Sequence, residues 1–238
     1  MAQERIADLL LTEISSFAER LRREHPLMQA ALQGRVTPNT VVSYLAGVRC
    51  LLAHTPIHLE TAASVALQHD LPKLVEFFKH KQREEEGHVR WAESDLMELE
   101  RAFGVTATGV TNSMLRMVAF LGTIVQTRPC HYLGYILFAE HATVQVGAVW
   151  VKALGDRCGI PLSALTSIAR HVELDQLHVA EGRDEINHLL NHVTEPGPFV
   201  ETLRCAMSHF EAFCDELHLS VETPPPSARR GAARLLVH

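Results

Sequence analysis

Five cysteines in 238 residues, at positions 50, 130, 158, 205 and 214, form no C-x2-C pair and no paired framework. That absence sets aside cysteine-ligated zinc modules and a disulfide scaffold, and the odd count fits reduced thiols in a cytoplasm. Basic charge is also short. The net charge is −6, the pI is about 6.2 and no basic patch stands out, which argues against a nucleic-acid surface. The opening MAQERIADLLLTEISSFAERL is an amphipathic pattern with charges throughout, so a secretion signal is not expected. One long apolar stretch, LGYILFAEHATVQVGAVWV (133–151), is interrupted at its middle by a carboxylate and has no second of its kind. Mean hydropathy is only +0.02, and no membrane span is expected. No strand pattern and no internal repeat is visible.

What remains is a run of helical patterns, bounded by proline and glycine. The candidates are 2–24, 38–68 with a break or kink near Pro56, 71–102, 111–126, 130–155, 161–192 and 196–219. That predicts an all-α bundle of about seven helices in one domain, residues 1–220. The Pro/Ala/Arg-rich remainder, 221–238, is expected to be a disordered tail.

The chemistry sits on three of those helices. His171, Asp175 and His178 follow an H-x3-D-x2-H spacing. Offsets of 4 and 7 residues return to within roughly 40° of one direction on an α-helix. Ala164, Ile168, Ile186 and Leu189 share that stripe, so two imidazoles and a carboxylate face the core. Glu85 interrupts the apolar stripe of Leu74, Phe78, Ala92 and Leu99, with His88 one turn later on its edge. Its neighbours Glu84 and Glu86 read as a solvated charge run, with Glu84 as an understudy at i−4 from His88. Glu140 is the carboxylate of the long apolar stretch and shares a face with Ile136, Leu137, Val144, Ala148 and Val151. A buried carboxylate must be protonated, paired with a cation or bound to metal. Three carboxylates and three imidazoles without cysteine form an oxygen/nitrogen set suited to iron or manganese. Six ligands suit two ions better than one tetrahedral zinc. His54, His58, His69, His188 and His209 carry little weight.

These residues resemble the haem-oxygenase-like di-iron oxidases and oxygenases, relatives of the TenA and PqqC proteins. The matching features are Glu85-x2-His88, the lone Glu140 and His171-x3-Asp175-x2-His178. HPLMQAALQGRVTPNTVVSYLAG, from His25 to Gly47, is also similar to the superfamily's opening helices. The resemblance runs from about Arg22 to His218. It implies a soluble helical enzyme with two Fe(II) ions per chain, one of them labile. O2 would be the co-substrate, Glu140 a bridging ligand, and an external donor would supply electrons. The implied substrate is a small carboxylate-bearing molecule, an amino acid or a fatty acid, undergoing N-oxygenation, desaturation or C–C cleavage. A homodimer is compatible with the fold. Some relatives place the ligating Glu two turns before the His, where this chain has Lys81. Lys81, Arg128 and Lys152 are the cations available to hold a substrate carboxylate. Two other readings stay open: a metal-independent enzyme of the PqqC/TenA kind, and a haem-binding protein with His25 as proximal ligand.

Overall fold

A computed structural model describes residues 5–222 apart from residues 192 and 194, and apart from the side chains of residues 180 and 181. The described chain is helical throughout, and no strand occurs in it. Helix α1, Ile6–Glu24, buries Ile6, Leu10, Ile14, Phe17 and Leu21, the spacing of one amphipathic face. His25 ends it and starts the short α2, Pro26–Leu32; its Nδ1 accepts from the Leu27 N–H at 3.1 Å, with Pro26 at the first helical position. Helix α3, Pro38–Gln68, is capped by Thr37 and contains Pro56. Then come α4, Pro72–Glu84; α5, Val89–Phe103; and α6, Asn112–Thr127. Helices α7, Tyr132–Ala142, and α8, Ala148–Cys158, are joined by a π-helical turn, Thr143–Gly147, into one rod. Finally α9, Thr166–Leu189, and α10, Gly197–Glu222, complete the bundle.

Helix α3 packs along α4, α5 and α6, while α10 bridges α1, α2, α6 and α7, and α7 lies between α1 and α9. All ten contribute to one continuous hydrophobic core, with Phe78, Tyr132 and Phe213 among its fully buried side chains. No described helix is long and apolar enough to cross a membrane.

Several boundaries differ from the periodicity, each for a local reason. Counting the joined rod once, the described residues form nine rods rather than about seven. The expected 71–102 helix breaks at residues 85–88, where Gly87 takes φ +88°; left-handed backbone is readily open only to glycine. The 130–155 segment is not uniform either. The π turn inserts a residue into the helical repeat, so the buried face advances: Gly147, Trp150, Ala153 and Leu154 are buried while Ala148 is exposed. The stripe expected through Val144, Ala148 and Val151 therefore does not continue beyond Ala142. Residues 162–164 form a 3-10 turn before α9. Of the expected 221–238 tail, residues 221 and 222 end α10 and the rest lies outside the described residues.

The start of α9 is fixed from outside. Asp95 on α5 is fully buried, and its carboxylate accepts from the Thr166 N–H and Oγ1 at 3.1 and 2.6 Å and from the Ser167 N–H at 2.7 Å. Burial raises the Asp95 carboxyl above its usual range, against the opposing pull of the three donors from Thr166 and Ser167. A carboxylate at a helix N-terminus satisfies amides that otherwise lack partners. Asp95→Ala should cost about 1–3 kcal/mol, read as a melting temperature several degrees lower with helical circular dichroism retained at low temperature. An unchanged melting temperature would show that the cap is dispensable.

Candidate metal centre

The broken helix places the first group of polar side chains. Glu85 is the C-terminal cap of α4 and His88 the N-cap residue of α5, so the E-x2-H pair spans a turn rather than lying on a helix face. The Glu85 carboxylate accepts from His88 Nδ1 at 3.0 Å. The His88 ring stacks on Trp91 at 4.2 Å and meets His171 edge-on at 4.9 Å, and the Arg170 guanidinium lies over the other ring of this cluster, Trp91, at 5.1 Å. Ligand atoms of Glu85, His88 and His171 all lie within 4.8 Å of one another.

His171 is presented in one tautomer. Its Nδ1 lies 2.7 Å from the Ser167 carbonyl, which can only accept, so in the neutral ring Nδ1 carries the proton and Nε2 a lone pair. That Nε2 is buried without a partner. An orphaned buried acceptor is costly unless a ligand completes it, and a second nitrogen tied to a carbonyl is the usual support of a metal-bound imidazole. Glu85 suits the same role: burial pushes its carboxyl up, but the hydrogen bond from His88, with the Lys81 ammonium nearby, outweighs that and holds it below its usual range. It stays ionised. Two imidazoles and one carboxylate form the facial set of non-haem Fe(II) sites.

The other three expected ligands form a second group. Glu140 and Asp175 are buried, and His178 Nδ1 lies 3.4 Å from Asp175 Oδ1 and 3.7 Å from Glu140 Oε1. Glu84 joins them, with Oε1 3.7 Å from His178 Nε2; it is not solvated as the charge run implied. At the centre is Lys81. Its Nζ donates to Glu140 Oε1 at 2.9 Å and stands 3.0 Å from Glu84 Oε2. Burial alone would lower the lysine, but Glu140 and Glu84 reverse this and raise it, so it stays an ammonium. Burial raises Glu140 and Asp175 against the pull of Lys81 and His178 respectively. Glu140 thus meets Lys81 and His178, and it lines the same cavity as Glu85 and His171.

Both groups border a cavity of about 210 Å3, far more than the roughly 10–15 Å3 one water needs. Lys81, Glu85, Glu140, His171 and Asp175 line one region, and Leu27, Met28, Leu51, Phe138, Ile168 and Phe210 are among the apolar walls. The π turn forms another wall; a Cβ on Gly147 would come within 2.9 Å of Val172 on α9, so only glycine lets the two helices approach. Arg128 and Lys152 are exposed and do not line the cavity, and Lys152 pairs with Asp156 at 2.5 Å, so neither is placed as an anchor. His25 borders the cavity; its Nδ1 caps α2, and its buried Nε2 lies 3.2 Å from Asp215 without forming a hydrogen bond. Sequence reasoning missed Asp95, the inward turn of Glu84 and the buried, unpartnered hydroxyl of Tyr132 in the cavity wall. Asp95 had a signal: it lies three residues after Ala92 and four before Leu99, on the buried stripe.

No family profile and no curated protein matches the sequence. Solved structures do. A domain of unknown function with a haem oxygenase-like fold from Shewanella denitrificans OS217 superposes with a TM-score of 0.75, at 19% identity, over 90% of this chain and 93% of that one. A CADD-like protein of unknown function from Nostoc punctiforme PCC 73102 gives 0.67 at 14% identity, over 91% and 99%. The chain has the haem-oxygenase-like fold. A TenA homolog from Pseudomonas syringae pv. tomato DC3000 superposes at 0.59 and 14% identity, over 91% of each chain. These likenesses agree with the fold that the sequence resemblance implies.

Glu85→Gln should weaken divalent-metal binding at least tenfold and Glu84→Gln little, measured by calorimetry; equal losses would show that both carboxylates serve one ion. His178 gives a pH test on metal-free protein. Its pKa is raised above 6.5, first through the Asp175 bond. A raised imidazole stabilises the fold fully below its unfolded value and stops doing so as pH rises through the folded one. The stability advantage of the wild type over His178→Gln should therefore be largest in mild acid and shrink above pH 6.5. An advantage growing with pH would contradict the bond to Asp175.

Proposed function

We propose that this protein is a non-haem iron oxidase or oxygenase that uses O2 to oxidise a carboxylate-bearing molecule with an apolar body, a fatty acid in preference to an amino acid. The observation that carries the reading is the Glu85/His88/His171 set, with its orphaned His171 Nε2, at the edge of an apolar cavity. Iron bound there would supply the one-electron chemistry that O2 needs, with an external donor providing reducing equivalents.

The chain's own groups supply the rest. Ser167 and Trp91 hold the two imidazoles, the Glu85 carboxylate remains charged, and the aliphatic walls keep water from the reacting carbon. Among the described cavity-lining residues Lys81 is the sole lysine or arginine, and Glu140 and Glu84 already hold it. A substrate carboxylate is thus better placed on an open position of the ion, with its chain along Leu27, Met28 and Phe210. A polar amino acid would have to leave its charges against apolar walls, which is costly. A second ion, as the resemblance implies, would have to come to Glu140, Asp175 and His178, where Lys81 already stands.

The test is anaerobic Fe(II) loading with iron counting, followed by O2 uptake with a panel of fatty acids and amino acids. Iron should bind, and fatty acids should accelerate O2 consumption at least tenfold over amino acids. His171→Ala should lose most of the iron while keeping its helical circular dichroism. Failure to bind any divalent metal would instead favour direct binding of an organic substrate by these polar groups.

A further inference from the structure

The second group of carboxylates has the composition of a cation site, and the structure already places a cation there. Lys81 Nζ lies 2.9 Å from Glu140 Oε1 and 3.0 Å from Glu84 Oε2, and the lysine is 8% exposed. An ion bound to Glu140 Oε1 at the usual metal–oxygen length would stand no more than about 5 Å from that ammonium. At such a distance two cations in a poorly hydrated site repel strongly. The first group has no such occupant: no described lysine or arginine pairs with Glu85, and the His171 Nε2 lone pair has no partner.

We propose that the Lys81 ammonium is the resident cation of the Glu84/Glu140/Asp175/His178 half of the site, so that the chain takes one exchangeable metal ion, at Glu85/His88/His171, and not two. The location of that ion rests on the function proposed above; the role of Lys81 does not. The lysine does for these carboxylates what an ion would do, and it joins α4 to α7 through a charge that cannot dissociate. It cannot be lost when metal is scarce. The ion at the first group then works alone, with its remaining positions open to the cavity rather than shared with a neighbour.

The lysine's side chain makes this directly testable. Lys81→Met keeps the length and apolar stem but removes the charge, leaving three carboxylates and an imidazole without their cation; Lys81→Arg keeps a cation. Mn(II), which is stable in air and visible by electron paramagnetic resonance, is the probe. Wild type and Lys81→Arg should bind one Mn(II) per chain, and Lys81→Met two, with the broadened signal of a coupled pair. Two ions in the wild type, or no gain of an ion in Lys81→Met over the wild type, would overturn the proposal. Should Lys81→Met not fold, wild-type crystals soaked in Mn(II) decide by anomalous scattering. One peak at Glu85/His88/His171, with Nζ still on Glu140, supports it; a second peak at Glu140 with the lysine displaced refutes it. A wild type that takes up no Mn(II), beside a Lys81→Met variant that gains one ion at Glu140, would uphold the lysine's role and remove the iron-dependent function.

Discussion

The arrangement of the whole site depends on a lysine ammonium held between Glu140 and Glu84 inside a helical bundle. Taking charges out of water costs several kcal/mol per ion, and the attraction of a close pair roughly repays it. The pair therefore does little for net stability, but breaking it from one side leaves an uncompensated buried charge, at about 3–5 kcal/mol. That asymmetry makes it a register device. Helix α4 cannot slide or rotate against α7 without stranding Glu140, so the last turn of α4 is pinned where Glu85 leaves it.

Pinning that turn matters because the ligands come from a place where the helix stops. Had 71–102 continued as one helix, Glu85 and His88 would project from one face with their backbone spacing fixed at three residues. Gly87 instead lets the chain turn, and His88 starts α5 with its ring laid on Trp91 and edge-on to His171. The Arg170 guanidinium over Trp91 extends the stack back to α9. One turn thus collects side chains from α4, α5 and α9, which no single helix face could do.

Much of this was legible from the sequence and some of it could not be. The period of 3.6 placed His171, Asp175, His178 and Glu140 inward because each lies within a long regular helix, where a side chain's direction follows from counting. The same counting failed past Ala142, since a π turn adds a residue without any change in composition to announce it. It also failed for Glu84, because a charge run looks solvated until the partner across the bundle, Lys81, is known. Gly87 inside the charged stretch was the local sign of a break. The division of six residues into two groups had no sign in the sequence at all: it depends on how far one lysine reaches between two helices. The fold itself is the part that the structural likenesses establish. The metal, its number and the substrate are readings of the site.

The triad also shows how backbone chemistry can prepare a ligand before any ligand arrives. Asp95 gathers the first amides of α9, which fixes the phase at which that helix begins. The carbonyl of one of those residues, Ser167, accepts from Nδ1 of His171 one turn on, which in the neutral ring selects the tautomer with an unprotonated Nε2. That nitrogen is buried, and rotation of the ring would forfeit the bond to Ser167. The Glu85 carboxylate meets it already charged, held so by His88. The opposing group has been satisfied by the opposite means, a flexible side chain that carries its own charge into the core. One half of the site thus keeps a constrained imidazole acceptor without a partner, while the other is organised around an ammonium that the chain itself supplies.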